Sequence, residues 1–65
     1  MTRSEAEKAL LKGEIISNDN YSPNEYLFMV GEYIYDEHRY NCGTLQSDFW
    51  TKFQRNDGWK IVEKR

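Results

Sequence analysis

Asp36, Glu37, His38 and Cys42 are the one close group of metal-ligand and nucleophile residue types in this sequence. A zinc site asks for a spacing such as Cys-x2-Cys, or for a second His. One Cys and one His four positions apart on a polar loop do not supply it. Cys42 as nucleophile with His38 as base would need an oxyanion hole and a scaffold that forms a pocket, and neither is legible. Asp36 and Glu37 are adjacent, so in a strand they point to opposite sides and make a poor acid–base pair. The four glycines are scattered, each with a turn or cap explanation, and form no phosphate-binding loop. The chain therefore reads as non-enzymatic, with no metal and no cofactor.

The other residues able to recognise something are rings. Five Tyr, three Phe and two Trp make up 15% of the 65 residues. Tyr21, Tyr26, Tyr33 and Tyr40 could stack on a base, but stacking without neighbouring cations is an incomplete nucleic-acid site. The formal net charge is −2, and Lys60, Lys64 and Arg65 are the one basic cluster, with Glu63 among them. Phosphate-rich partners normally meet a basic face, so nucleic acid is disfavoured. Hydrophobic residues at 38% and charged residues at 31% give a soluble globular composition and one small domain, residues 1–65. No stretch approaches the ~18 apolar residues of a membrane span. No apolar run follows Met1–Glu5, so no secretory leader is expected, and a single cysteine fits a reducing cytoplasm.

These residues must be positioned by short elements. Ser4-Glu5-Ala6-Glu7 fits a capping box, Ala6, Ala9 and Leu10 share a helical face, and Gly13 ends it, predicting a helix over 5–12. Glu14–Ser17 reads as a strand. Glu25–Val30 and Tyr33–Glu37 read as a hairpin around Gly31-Glu32, a type II′ turn with Gly first. Asp36–Asp48 reads as a loop. Residues 49–54 fit a strand or a short helix capped at Ser47, with the helix favoured. Trp59–Glu63 is the last strand. The expected fold is α+β: an N-terminal helix on an antiparallel sheet of three to four strands, with a short second helix.

Alternation sorts the hairpin into an aliphatic face, Leu27, Met29 and Ile34, and a face of Tyr26, Phe28, Val30, Tyr33 and Tyr35. Both are apolar, and one helix can cover only one; its small, flat stripe suits the aliphatic side. The aromatic face then has two readings. Residues 45–53 and Trp59 fold over it as a second core, or it stays open as a contact surface, since Tyr buries area while its hydroxyl tolerates water. The expected surface is Tyr26, Phe28, Tyr33 and Tyr35, with Tyr21 and Tyr40 at its edge. Closure by a second copy is compatible with either.

The order of motifs resembles that of a group of short tailed-phage accessory proteins. The residues that carry the likeness are Ala9-Leu10-Leu11-Lys12-Gly13, Tyr21, Glu25-Tyr26-Leu27-Phe28-Met29, Ile34-Tyr35-Asp36-Glu37, Phe49-Trp50 and Gly58-Trp59-Lys60-Ile61. The opening helix, Leu-x-x-Gly and strand are also similar, more distantly, to the second type of Thoeris anti-defence protein, an oligomer that sequesters a cyclic ADP-ribose-type signal. Where that family has basic and Trp residues after the first strand, this chain has Asn18-Asp19-Asn20-Tyr21. What the resemblance implies is a phage accessory protein in the host cytoplasm. It would inhibit a host protein, an antiviral defence component, by stoichiometric binding; the alternative is an oligomeric sponge for a nucleotide-type signal.

Overall fold

The computed structural model describes residues 1–62, so Glu63 of the expected last strand, and Lys64 and Arg65 of the basic cluster, lie outside the described residues. The element order is α1 (Arg3–Leu11), β1 (Ile15–Asn18), β2 (Leu27–Val30), β3 (Tyr33–Asp36), β4 (Asn41–Thr44), α2 (Asp48–Thr51) and β5 (Trp59–Val62). The fold is α+β, with five strands where three to four were expected, in the order β4-β3-β2-β1-β5 and all antiparallel.

Helix α1 begins two residues earlier than expected. The capping box is Thr2-x-x-Glu5: the Glu5 amide donates to the Thr2 hydroxyl at 3.2 Å, and the Thr2 amide donates to Glu5 Oε1 at 2.8 Å. The Thr2 amide, and with it the Thr2 hydroxyl at 3.3 Å, donate to the Glu5 carboxylate and hold it below its ordinary range. Ser4 and Glu7 match the same pattern, but Glu7 is taken by a distant partner: Trp50 Nε1–H donates to Glu7 Oε1 at 2.9 Å. At the other end Gly13 stands at φ +86, the Gly13 amide donates to the Leu10 carbonyl, and the Glu14 amide donates to the Ala9 carbonyl. This is a Schellman motif, and it explains why the helix ends where it does.

The β2–β3 hairpin has the expected register, Val30↔Tyr33, Met29↔Ile34 and Phe28↔Tyr35, with Gly31 at φ +62. Strand β4 replaces part of the expected loop. Asn41-Cys42-Gly43-Thr44 has little strand propensity of its own. It is held by pairing on β3, through Tyr33↔Thr44 and Tyr35↔Asn41 with a bulge between. The bulge takes up the extra residue, with Gly43 at φ +97. In the region that could have been strand or helix, α2 forms one short turn.

Both helices lie on one side of the sheet. Ala6, Ala9 and Leu10 of α1 pack with Ile16, Leu27 and Ile34 from the sheet and with Trp50 and Trp59. Trp50 and Trp59 sit 5.3 Å apart, and Trp59 Nε1–H donates to the Arg55 carbonyl at 2.8 Å. Buried Asn18 ties the 55–58 turn to β1 through its Nδ2–H, which donates to the Asp57 carbonyl at 3.0 Å. Trp59 and α2 therefore complete the aliphatic core. They do not fold over the aromatic face.

Candidate contact face

The side of the sheet away from the helices carries an apolar row. Pairing sets Val62 opposite Ile15 on β5 and β1, and Phe28 opposite Tyr35 on β2 and β3. The Ile16↔Leu27 pair brings Ile15 beside Phe28, so the row runs Val62, Ile15, Phe28, Tyr35 across four strands. The Phe28 ring lies 5.9 Å from Tyr35, near parallel at 27°, and 6.2 Å from Tyr26. Val30 and Tyr33 extend the patch and are 60% and 41% exposed, while Tyr26, Phe28 and Tyr35 are half-buried by each other. Among the described residues no helix packs against this side.

Tyr21 stands at the edge of this face, lining a groove with Ile15 and Tyr26, and not among the stacked rings. Its ring meets Trp59 edge-on at 5.6 Å, and its hydroxyl donates to Gln54 Oε1 at 2.8 Å. Burial pushes its phenol well above the ordinary value near 10, and Glu25, Cys42 and Glu37 add to the shift. Tyr40 is 70% exposed in the β3–β4 connection, 6.0 Å from the His38 ring. Of the six expected residues, the structure brings together Tyr26, Phe28, Tyr33 and Tyr35.

Ile15 and Val62 are the members of the face that sequence reasoning missed. Their signal was available in part: Ile15-Ile16 in a strand must point one isoleucine to each side. The partnership with Val62 depended on the long-range β1–β5 pairing, which nothing local announces.

Two depressions flank the row. A groove of about 760 Å³ runs between the sheet and the 19–25 loop, bordered by Ile15, Ser17, Tyr26, Lys60 and Val62. A smaller one of about 280 Å³ involves Ile15, Tyr26, Phe28 and Arg39. They meet at Ile15 and Tyr26. Lys60 pairs with Asp19 at 3.5 Å across the first groove, with both side chains exposed. Such a pair contributes little to stability and can be exchanged for a ligand's charge.

The other chemical candidates are absorbed by local structure. Asp36 Oδ1 accepts from the His38 amide at 2.9 Å and the Tyr40 amide at 3.0 Å, shaping a turn that holds Arg39 at φ +64. The Cys42 thiol donates to the Tyr40 carbonyl at 3.5 Å. Burial pushes it above the ordinary thiol value, and the Asp36 and Glu37 charges push the same way, the reverse of an activated nucleophile. No group of three or more His, Cys, Asp or Glu suited to a metal comes together among the described residues. No helix there is long and apolar enough to cross a membrane.

Compared with known proteins, the chain matches no family model, no curated protein and no solved structure.

Proposed function

We propose that the chain is a phage-type, non-enzymatic binding protein that inhibits a host protein, an antiviral defence component, by stoichiometric contact through Tyr26, Phe28, Tyr33 and Tyr35. The observation that carries the contact surface is the uncovered sheet side with its Phe28–Tyr35 stack. A sheet buries its apolar face against another layer, and among the described residues no helix or second sheet lies over this apolar face. Rings with hydroxyl tips suit a surface that must be wet when free and dry when bound. The host and defence part of the proposal rests on the resemblance in motif order alone.

The test is capture from host lysate together with inhibition of the captured protein. Wild type should bind one target, and inhibition should saturate at a fixed ratio of chain to target, with no turnover. The Tyr33→Ala/Tyr35→Ala variant should lose both. Equal recovery by wild type and variant would remove the surface assignment.

A second reading is the oligomeric sponge for a nucleotide-type signal, acting in the same host cytoplasm. It is favoured by the paired grooves, one lined by Lys60 and Tyr26 and the other by Arg39, Tyr26 and Phe28. A cation next to a ring can hold an anionic, planar ligand. A thermal-shift screen with cyclic nucleotides decides it: no shift at saturating ligand rejects the sponge.

A further inference from the structure

We infer that the resting occupant of the open face is a second copy of this chain, packed face to face, and that a target must displace it. The inference rests on the reading of this side as a contact surface, and adds how that surface is regulated.

Three observations lead there. The first is area. The molecule spans 24 × 24 × 20 Å over its Cα atoms and exposes 4628 Å². One broad side therefore carries roughly a fifth of the surface, on the order of the ~800 Å² per partner of a standard interface.

The second is self-complementarity. The row Val62, Ile15, Phe28, Tyr35 is aliphatic in its β5–β1 half and aromatic in its β2–β3 half. A two-fold axis parallel to the strands and between β1 and β2 lays Val62 over the partner copy's aromatic end and Ile15 over its central ring. Every contact then occurs twice, as an isologous interface requires. Small side chains meet large ones, which is how two sheets interdigitate at about 10 Å with their strands some 30° apart.

The third is that the sheet edges are blunted. On β5 the Trp59 amide donates to the Met1 carbonyl at 3.2 Å, so this strand's outer side is already engaged at its start. On β4 the register shifts, and the Gly43 amide donates to Asn41 Oδ1 at 2.8 Å. Edges treated this way resist strand addition. Association is left to the face.

The consequence is an autoinhibited binder. Self-association consumes the same rings that meet the target, so apparent target affinity falls as the chain concentration rises above its own dissociation constant.

Sedimentation equilibrium on the whole chain from about 1 µM to 1 mM tests this. Wild type should pass from the 7.8 kDa monomer to twice that mass. Phe28→Lys, at the centre of the face, should weaken the dimer at least about tenfold while keeping the wild-type far-UV spectrum. If that variant does not fold, Val62→Lys at the rim serves the same purpose. A wild type monomeric throughout, or a dimer indifferent to a folded face variant, overturns the inference. A monomer that still captures a target sinks self-association and leaves the contact reading standing. A dimer that captures nothing even when diluted to monomer does the reverse.

Discussion

The two sides of the sheet are built from the same kinds of residue and have opposite fates. On one side Ile16, Leu27 and Ile34 lie under α1, Trp50 and Trp59 and are essentially removed from water. On the other side Ile15, Phe28 and Tyr35 alternate with them along the same strands, and the described residues place no second layer over them. The difference lies in what the flanking segments supply and not in the hydrophobicity of the strands. Both tryptophans and the whole apolar stripe of α1 are spent on one side. Stability and recognition are thereby separated onto the two surfaces of one short sheet, and substitutions on them should behave differently.

The largest effect is expected from the covered side. Trp50→Ala removes a fully buried ring and should cost about 3–5 kcal/mol. A core of this size supplies about that much in total. The variant should therefore show an unfolded far-UV spectrum at 25 °C. Glu7→Ala is next, since it leaves the Trp50 indole N–H without its acceptor. About 1–2 kcal/mol should be lost in urea denaturation, and Glu7→Gln, which keeps an acceptor, should recover most of it. Gly13→Ala forces a side chain into the left-handed region at φ +86, and should cost about 1 kcal/mol.

Tyr21→Phe removes the hydroxyl bonded to Gln54 and should cost no more than about 1 kcal/mol at neutral pH. It should also change the alkaline limb. The folded chain holds the Tyr21 proton more tightly than the unfolded chain does. That stability is fully present below the unfolded value near 10 and is lost as pH rises from there toward the higher folded value. Thermal melts should therefore fall less steeply above pH 10 in Tyr21→Phe than in wild type. Unchanged slopes would mean that Tyr21 is not buried against Trp59.

How much of this was legible in the sequence varies by element. The β2–β3 hairpin was legible to the residue pair, because Gly31 at the first turn position admits one register and alternation does the rest. That same alternation exposed Tyr26, Phe28, Tyr33 and Tyr35 as one face. The start of α1 was not legible, because Thr2-x-x-Glu5 and Ser4-x-x-Glu7 satisfy the same local pattern. The choice follows from Glu7 meeting Trp50, 43 positions away. Strand β4 was hidden because its own residues, Asn41-Cys42-Gly43-Thr44, show no apolar alternation and, Thr44 aside, little strand propensity. Tyr21 could not be told from the other tyrosines, since its partners Trp59 and Gln54 are distant in sequence.

The smallest effect on stability should come from the open side. Val30→Ser, at 60% exposure, should shift unfolding by no more than about 0.5 kcal/mol. If this side holds contacts and not core, a paired stability measurement separates it from the covered side. Urea unfolding of Tyr33→Ala/Tyr35→Ala is compared with that of Ile34→Ala, at a concentration where wild type is monomeric. The single covered isoleucine that lies between the two tyrosines in sequence should cost about 2–4 kcal/mol, and the open pair, whose loss is mainly the Phe28–Tyr35 stack, about 1–2 kcal/mol. A pair that unfolds the chain as readily as Ile34→Ala would show that both sides of the sheet are core, and would contradict that separation.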